Sequence, residues 1–370
     1  MIYFDNAANR PVKDEVLDEL IKVEKEYMGN SNSLHKAGLD AHKKYLELQA
    51  KVFELLNLDP NEYDLIFTSS ATESNNLAIK GIYESYSGFG NTFLSSEFEH
   101  SSTNAALAYL KDKGCTVSLI PTTSEGKLSI DVLKDKLNDE CLLLCLSLVE
   151  SEVGVIQNYH EIQEVLKGTN CRLLLDATQA IGKIKLDLNG IDMISFSGHK
   201  FGGLTGTGIL LKKKDIILTP LLHGGKSESQ YRSGSFPLGL FASFVKALEL
   251  SLIQEESNYA YVSDLSSYLR DELSKIKGIR LNSFSGNPYI NNFSMDALPG
   301  GEMVRFLSEN DICISQKSAC SVPQTPSKAI NAIYHDKQRA LTSFRISLSE
   351  MNTKEEIDTL INVIRSRYGK

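Results

Sequence analysis

The chain has 370 residues, 42% of them hydrophobic and 23% charged, and 47 acidic against 39 basic residues leave a net charge of −8. This is the make-up of a soluble globular protein larger than one typical domain, with enough chain to bury a sizeable core. An acidic balance without a long basic run argues against nucleic acid or an anionic membrane as partner, and no apolar stretch is long enough to span a bilayer. The segment Met1 to Pro11 lacks the basic and apolar regions of a signal peptide, so a cytoplasmic protein is expected.

In chain order, Ile2, Tyr3 and Phe4 read as a short strand, followed by Asp5-Asn6-Ala7-Ala8. A helical pattern runs from Asp14 to Met28, and Gly29-Asn30-Ser31-Asn32-Ser33-Leu34-His35 is a turn-rich loop. In the next helix Ala41, Tyr45, Leu48, Val52 and Leu55 share one face, as core residues do. Leu65-Ile66-Phe67 is a strand that runs through Thr68-Ser69-Ser70-Ala71-Thr72-Glu73 into a helix reaching about Tyr86. Small residues between a strand and a helix leave backbone N–H groups at the positive end of the helix dipole, where a phosphate binds well. The same pattern also describes an ordinary capped helix start.

The strand–helix rhythm continues. Thr92-Phe93-Leu94 is a strand ending near His100, Ser101 to Lys113 is helical, and Val117 to Ile120 is a strand. Ile130, Leu133 and Leu137 mark a helix face. Cys141 to Val149 is a long apolar strand ending in Glu150-Ser151-Glu152-Val153-Gly154, and a helix follows near Tyr159 to Lys167. The apolar run Leu173-Leu174-Leu175 ends at Asp176, and Met193 to Phe196 leads into Ser197-Gly198-His199-Lys200, with a third run from Ile209. Such alternation predicts an α/β fold with a mainly parallel sheet covered on both faces. Ligands bind outside the carboxyl ends of the strands in such sheets. Ala71, Thr72, His100, Ser151, Asp176, Gln179 and Lys200 all fall there.

Beyond Leu211 the pattern changes. A polar loop carries Arg232-Ser233-Gly234-Ser235, and helical patterns fill about Leu238 to Ser274. Short strands near Arg280 to Asn282 and Asn292 to Met295, a helix over Glu302 to Glu309, and Ile312-Cys313-Ile314 follow. Thr342 to Leu348 reads as a strand carrying Arg345, and Thr353 with Glu356 has capping-box spacing. This C-terminal third reads as a smaller α+β domain, with the boundary near residue 255. No C-x-x-C pair or zinc spacing is present, so no metal is expected. Cys115, Cys141, Cys145, Cys171 and Cys313 lie in or beside apolar runs, as core residues do, whereas Cys320 lies in a polar, proline-containing loop where chemistry is better placed.

A lysine and an aspartate at neighbouring strand ends suit pyridoxal phosphate (PLP) chemistry. The lysine holds the aldehyde as a Schiff base, and the aspartate keeps the pyridine nitrogen protonated. An exposed lysine beside a glycine-rich turn is the plainer alternative for that pair alone. Taken in order, the motifs resemble the NifS-like cysteine desulfurases, in the class V aminotransferase group of fold-type I PLP enzymes. The resemblance runs nearly end to end: Phe4 to Ala8, Gly29 to His35, Phe67 to Asn76, Glu99-His100-Ser101, Asp176 to Gln179, Ser197 to Lys200, Arg232 to Ser235, Ser318-Ala319-Cys320 and Arg345-Ile346-Ser347.

The resemblance implies a large PLP-binding domain over residues 14–255 and a small domain from 1–13 and 256–370. It implies that Lys200 carries the cofactor and moves the substrate α-proton. Asp176 pairs with the pyridine nitrogen, Gln179 contacts the ring oxygen, and His100 stacks on the ring. Ala71, Thr72, Ser197 and His199 hold the phosphate. Ser235 reaches the phosphate of a neighbouring subunit in a homodimer with shared sites. Arg345, with Asn32 nearby, binds the substrate carboxylate. Cys320 attacks the sulfur of L-cysteine and keeps it as a persulfide for a sulfur-acceptor protein, while alanine leaves. Departures are also visible. Ser151 stands where the family has a cofactor-contacting Asn, and Lys317 replaces a usual Gly and reads as a solvated loop charge. Other class V enzymes (a selenocysteine or cysteine-sulfinate lyase, an aminotransferase) and a degenerate PLP-binding partner of a sulfur carrier are the alternatives.

Overall fold

The structure, a computed structural model, describes residues 1–225, 227–284, 286–296, 298–317 and 325–368. Its strands are β1 (Ile2–Tyr3), β2 (Tyr63–Thr68), β3 (Thr92–Ser96), β4 (Thr116–Ile120), β5 (Cys141–Ser147), β6 (Arg172–Asp176), β7 (Met193–Ser197), β8 (Gly208–Lys213), β9 (Ile279–Leu281), β10 (Ile290–Met295), β11 (Ile312–Cys313) and β12 (Ser343–Ser347). A seven-stranded sheet has the order β2-β8-β7-β6-β5-β3-β4. Neighbours from β7 to β4 are parallel, and β8 runs antiparallel to both β7 and β2. The expected mainly parallel α/β sheet is therefore present, with one reversed strand. A three-stranded antiparallel sheet, β12-β10-β9, and the parallel pair β1-β11 complete the set.

Alternation along each strand feeds both faces of the large sheet. Leu65, Phe67, Leu144, Leu146, Leu173, Leu175, Ile194 and Phe196 enter one apolar core. Ile66, Leu143, Cys145, Leu174, Met193 and Leu210 enter the core on the other face, against the helices Ala71–Tyr86 and Ser101–Asp112. Around Phe244 the first core is aromatic, with Phe67, Phe196 and Phe201 at ring-centroid distances of 5.9, 5.8 and 5.5 Å.

Several expected boundaries shift for local reasons. The β5 strand stops at Ser147 rather than Val149, because Val149 turns back to bridge Ile156. The long helical pattern breaks at Gln254 into Leu238–Ile253 and Glu255–Ser274. Leu56, not Leu55, is the buried end of the Lys36–Leu56 helix. Cys313 is only half-buried, while Cys115, Cys141, Cys145 and Cys171 are buried as expected. The helices Lys328–Tyr334 and Lys337–Leu341 are too short to show periodicity and escape the sequence reading. They are started by Ser327 and Asp336, whose side chains accept from Ile330 and Arg339 N–H groups. The last helix has its capping box: Glu356 accepts from the Thr353 N–H at 3.1 Å, and Thr353 Oγ1 from the Glu356 N–H at 3.3 Å. No helix among the described residues is long and apolar enough to cross a membrane.

Phe244 is fully buried and supports the turn at Gly198, where a Cβ would come within 3.0 Å of its ring. Phe244→Ala is expected to lower unfolding free energy by about 3–5 kcal/mol, measured by urea denaturation. A loss under about 1 kcal/mol would mean that the aromatic cluster does not brace this turn.

Candidate active site

Strand register gathers the site. Ser147, Asp176 and Ser195 lie side by side across β5, β6 and β7, and Thr68, Gly208 and Ser197 across β2, β8 and β7. Gly208 is needed for this closeness, since a Cβ there would sit 2.5 Å from the Ser70 carbonyl carbon. Above these strand ends is a cavity of about 310 Å³. Its walls include Ala71, Thr72, His100, Ser151, Asp176, Gln179, Ser197, His199, Lys200 and Arg345. Residues as far apart in sequence as Ala71 and Arg345 thus converge on one space. Asn32 and Ser235 do not line it; both are exposed on loops of the chain. Cys320, with Ser318 and Ala319, lies outside the described residues.

The helix Ala71–Tyr86 points its N-terminus at the cavity. Ser70 caps it by accepting from the Glu73 N–H at 3.2 Å, and Ser197 Oγ accepts from the Ala71 N–H at 2.6 Å. Such a terminus, flanked by a hydroxyl, suits an anion. Glu73 is also held at 2.7 Å by Arg232, which ties the loop of Ser235 to this helix.

Asp176 accepts from the Thr178 N–H at 3.0 Å and from Asn75 Nδ2 at 2.9 Å. Asn75 is fully buried on the same helix, and its Oδ1 accepts from Ser195 Oγ at 2.5 Å. It links the start of this helix to the carboxylate, a role the sequence reading missed. Its position four residues after Ala71, on the inward face of the helix, was the available signal.

His100 opens the helix Ser101–Asp112, and its Nδ1 accepts from the Ser102 N–H at 3.2 Å. In the neutral ring this leaves the proton on Nε2. Burial lowers its pKa, aided by Lys200 and opposed by Asp176. His199 is lowered further, to about 4, by burial and then by Lys200 and Lys183. Both rings are thus neutral at pH 7.

Lys200 follows the short turn Gly198–Lys200, and its Nζ donates to the carbonyls of Ala7 at 2.8 Å and Ala8 at 2.7 Å. Gln179 Nε2 donates to the same Ala7 oxygen at 2.8 Å. Backbone carbonyls carry no residue signature, so these partners were not readable in advance. Arg345 is 1% exposed on β12. It donates from Nη2 to Asp5 at 2.8 Å and from Nη1 to the Ser151 carbonyl at 2.8 Å. Its Nε is buried with no partner.

Two neighbouring features correct or extend the sequence reading. Lys317 is 6% exposed and not a solvated loop charge: its Nζ donates to the Thr325 carbonyl at 2.8 Å and to Thr325 Oγ1, and burial lowers its pKa. Glu99 is buried below the cavity, accepting from Ser96 Oγ at 2.6 Å, the Ser147 N–H at 2.9 Å and Ser147 Oγ at 2.5 Å. Burial pushes its pKa up to about 7 against those hydrogen bonds. Burial raises Glu150 too, with Glu152 adding to the effect.

Residues 2–360 match the family described as Aminotransferase class-V. The chain is 34% identical to the cysteine desulfurase IscS of Buchnera aphidicola subsp. Baizongia pistaciae (strain Bp), over 100% of this chain and 93% of that protein. Among solved structures it is similar to a NifS-like protein, at 30% identity and a TM-score of 0.92 over 99% of this chain and 98% of the other. It is also similar to SspA in complex with cysteine, at 26% identity and a TM-score of 0.82, over 95% of this chain and 100% of the other.

A carboxyl that keeps its proton to about pH 7 in the fold, against an ordinary 4.5, binds that proton more tightly folded than unfolded. Its contribution to stability is complete below the unfolded value and is lost as pH rises through the folded one. Wild type should therefore lose stability between about pH 5 and pH 7.5 more steeply than Glu99→Gln. Urea midpoints across that range decide it, and parallel slopes would remove Glu99 as the holder of this proton.

Proposed function

We propose, for a chain that belongs to the aminotransferase class V family, that its reaction is PLP-dependent desulfuration of L-cysteine to L-alanine. The observation that carries this reading is the convergence of Lys200, Asp176, His100, Gln179 and Arg345 on one cavity, in a chain 34% identical to a cysteine desulfurase.

The residues suit this cofactor. Thr178 Oγ1 and Arg345 Nε are buried without partners, and both residues line the cavity. Buried polar atoms of that kind call for a polar occupant. Thr72, Ser197, His199 and the Ala71–Tyr86 helix start would hold a phosphate, and Asp176 a protonated pyridine nitrogen. Gln179 would donate to the ring oxygen, and Lys200 would hold the aldehyde carbon. Bound there, PLP supplies an electron sink for negative charge at the substrate α-carbon.

The remaining steps belong to side chains. Arg345 would bind the substrate carboxylate, for which a guanidinium gives paired hydrogen bonds; Asp5 holds it in place meanwhile. Lys200 Nζ would take and return the α-proton. The carbonyls of Ala7 and Ala8 stabilise its ammonium form, which strengthens the amine as the base that takes the proton. Neutral His100 offers an Nε2–H in the cavity as a general acid. Cys320 would attack the substrate sulfur as a thiolate and keep it as a persulfide, with alanine as the other product. A sulfur-acceptor protein, serving tRNA thiolation, iron–sulfur clusters or a dedicated pathway, would then receive it. Exposed Ser235 supports a homodimer in which this hydroxyl reaches the partner's phosphate site.

Lys200→Ala is expected to abolish the visible, borohydride-reducible chromophore, read by absorption before and after reduction. A chromophore retained in that variant would reassign the lysine. With L-cysteine and a reductant, wild type should release sulfide and alanine in equal amounts and Cys320→Ala neither. Wild type that binds PLP yet forms neither product would refute the desulfurase reading.

A further inference from the structure

One buried amine near the cavity has no part in the reaction above. Lys183 lies four residues after Gln179 and is 3% exposed. Its Nζ donates to Gln179 Oε1 at 2.7 Å. The other end of that amide, Nε2, donates to the Ala7 carbonyl at 2.8 Å, and the same carbonyl accepts Lys200 Nζ at 2.8 Å. Both ends of the Gln179 amide are therefore committed. Turning it over would set Oε1 against the Ala7 carbonyl oxygen, a buried mismatch, and would take away the acceptor to which Lys183 donates.

Burying a lysine end among cations is unfavourable by itself. Burial first, then Arg10, Lys200 and Arg345, lower the affinity of Lys183 for its proton, and Glu350 opposes them. A neutral amine still donates to an amide oxygen, so the hydrogen bond to Gln179 does not need the charge. An apolar residue would fill this space without that desolvation, so what the amine adds is the donor itself.

We propose that Lys183 is a positioning residue that locks the Gln179 amide with its NH₂ end toward Ala7, Lys200 and the cavity, so that a donor and not an acceptor meets the cofactor's ring oxygen. The inference rests on the reading of the cavity as a PLP site and goes beyond it in assigning the outer side chain that sets the polarity of the contact. A donor at a phenolic oxygen favours its anionic form. Losing that donor raises the pH at which the bound cofactor's visible absorption changes.

The test uses three holoenzymes: wild type, Lys183→Met, which keeps a chain of similar length without a donor, and Lys183→Gln, which keeps a donor without the charge. The visible-absorption midpoint should rise by about half to one pH unit in Lys183→Met, and should stay at the wild-type value in Lys183→Gln. A folded Lys183→Met with an unmoved midpoint would overturn the proposal. So would Lys183→Gln behaving like Lys183→Met, since charge rather than positioning would then be at work. The second readout is made on the cofactor-stripped wild type, labelled with ¹⁵N-glutamine. The Gln179 side-chain amide, identified by its loss in Gln179→Leu, should give two fixed, exchange-protected proton signals. An amide exchanging as fast as a free one would overturn the proposal whether or not either variant folds. If wild type binds no PLP, the cavity reading fails, and the amide signal still decides whether the Gln179 amide is held in one orientation.

Discussion

The first ten residues are the joint on which the site depends. The sheet that carries Lys200 and Asp176 and the sheet that carries Arg345 share no strand. The segment from Ile2 to Arg10, with its turn at residues 6–8, links them. On one side β1 pairs with β11, the Phe4 carbonyl accepts from the Ser347 N–H at 2.8 Å, and Asp5 holds Arg345. On the other, the Arg10 N–H donates to the His199 carbonyl at 2.9 Å, and the Ala7 and Ala8 carbonyls receive Lys200. Asn6 fastens the segment from within, donating to the Ser347 carbonyl at 3.0 Å and to Asn352 at 3.1 Å. A cavity wall made of backbone is rigid only when its own hydrogen bonds are complete, and here they are completed by strand β12.

The charge distribution follows from that joint. Lys183, Lys200, Arg10 and Arg345 gather behind and beside the cavity, and Glu350 answers Arg10 in an ion pair as Asp5 answers Arg345. Meanwhile burial lets Glu99 and Glu150 hold their protons more tightly than ordinary carboxyls, which limits the negative charge they add nearby. Carboxyls that hold their protons more tightly beneath, with Lys200 and Arg345 at its walls, make the cavity attractive to anions. A phosphorylated cofactor and an amino-acid carboxylate both fit that field.

Much of this was legible from sequence because a parallel sheet concentrates function at strand ends. Once Leu173 to Leu175 and Met193 to Phe196 were read as strands, Asp176 and Lys200 had to fall near each other, and they do. The specific roles came from resemblance and not from periodicity. What stayed hidden has physical reasons. Asn75 and Asn76 are adjacent and alike, and only helix phase decides which one is buried against Asp176. Lys317 reads as a solvated loop charge, since nothing local announces that a lysine end will be enclosed, and Lys183 gives no signal for the same reason. Asn32 sits in a loop whose resemblance suggested a ligand contact, yet within the chain it is exposed. The short helices after residue 327 offer too few turns to show a period.

Because β1 pairs with β11 and Asp5 bridges Ser347, the cavity is built from segments far apart in the sequence. On a ribosome the strands of the large sheet emerge well before residues 312–347, so their packing need not wait for the ribosome to finish. The carbonyl cradle for Lys200 has no such freedom, because the segment that bears it lacks its pairing strand until β11 and β12 have emerged. Nascent chains therefore carry Lys200 long before they carry the paired segment whose carbonyls receive it.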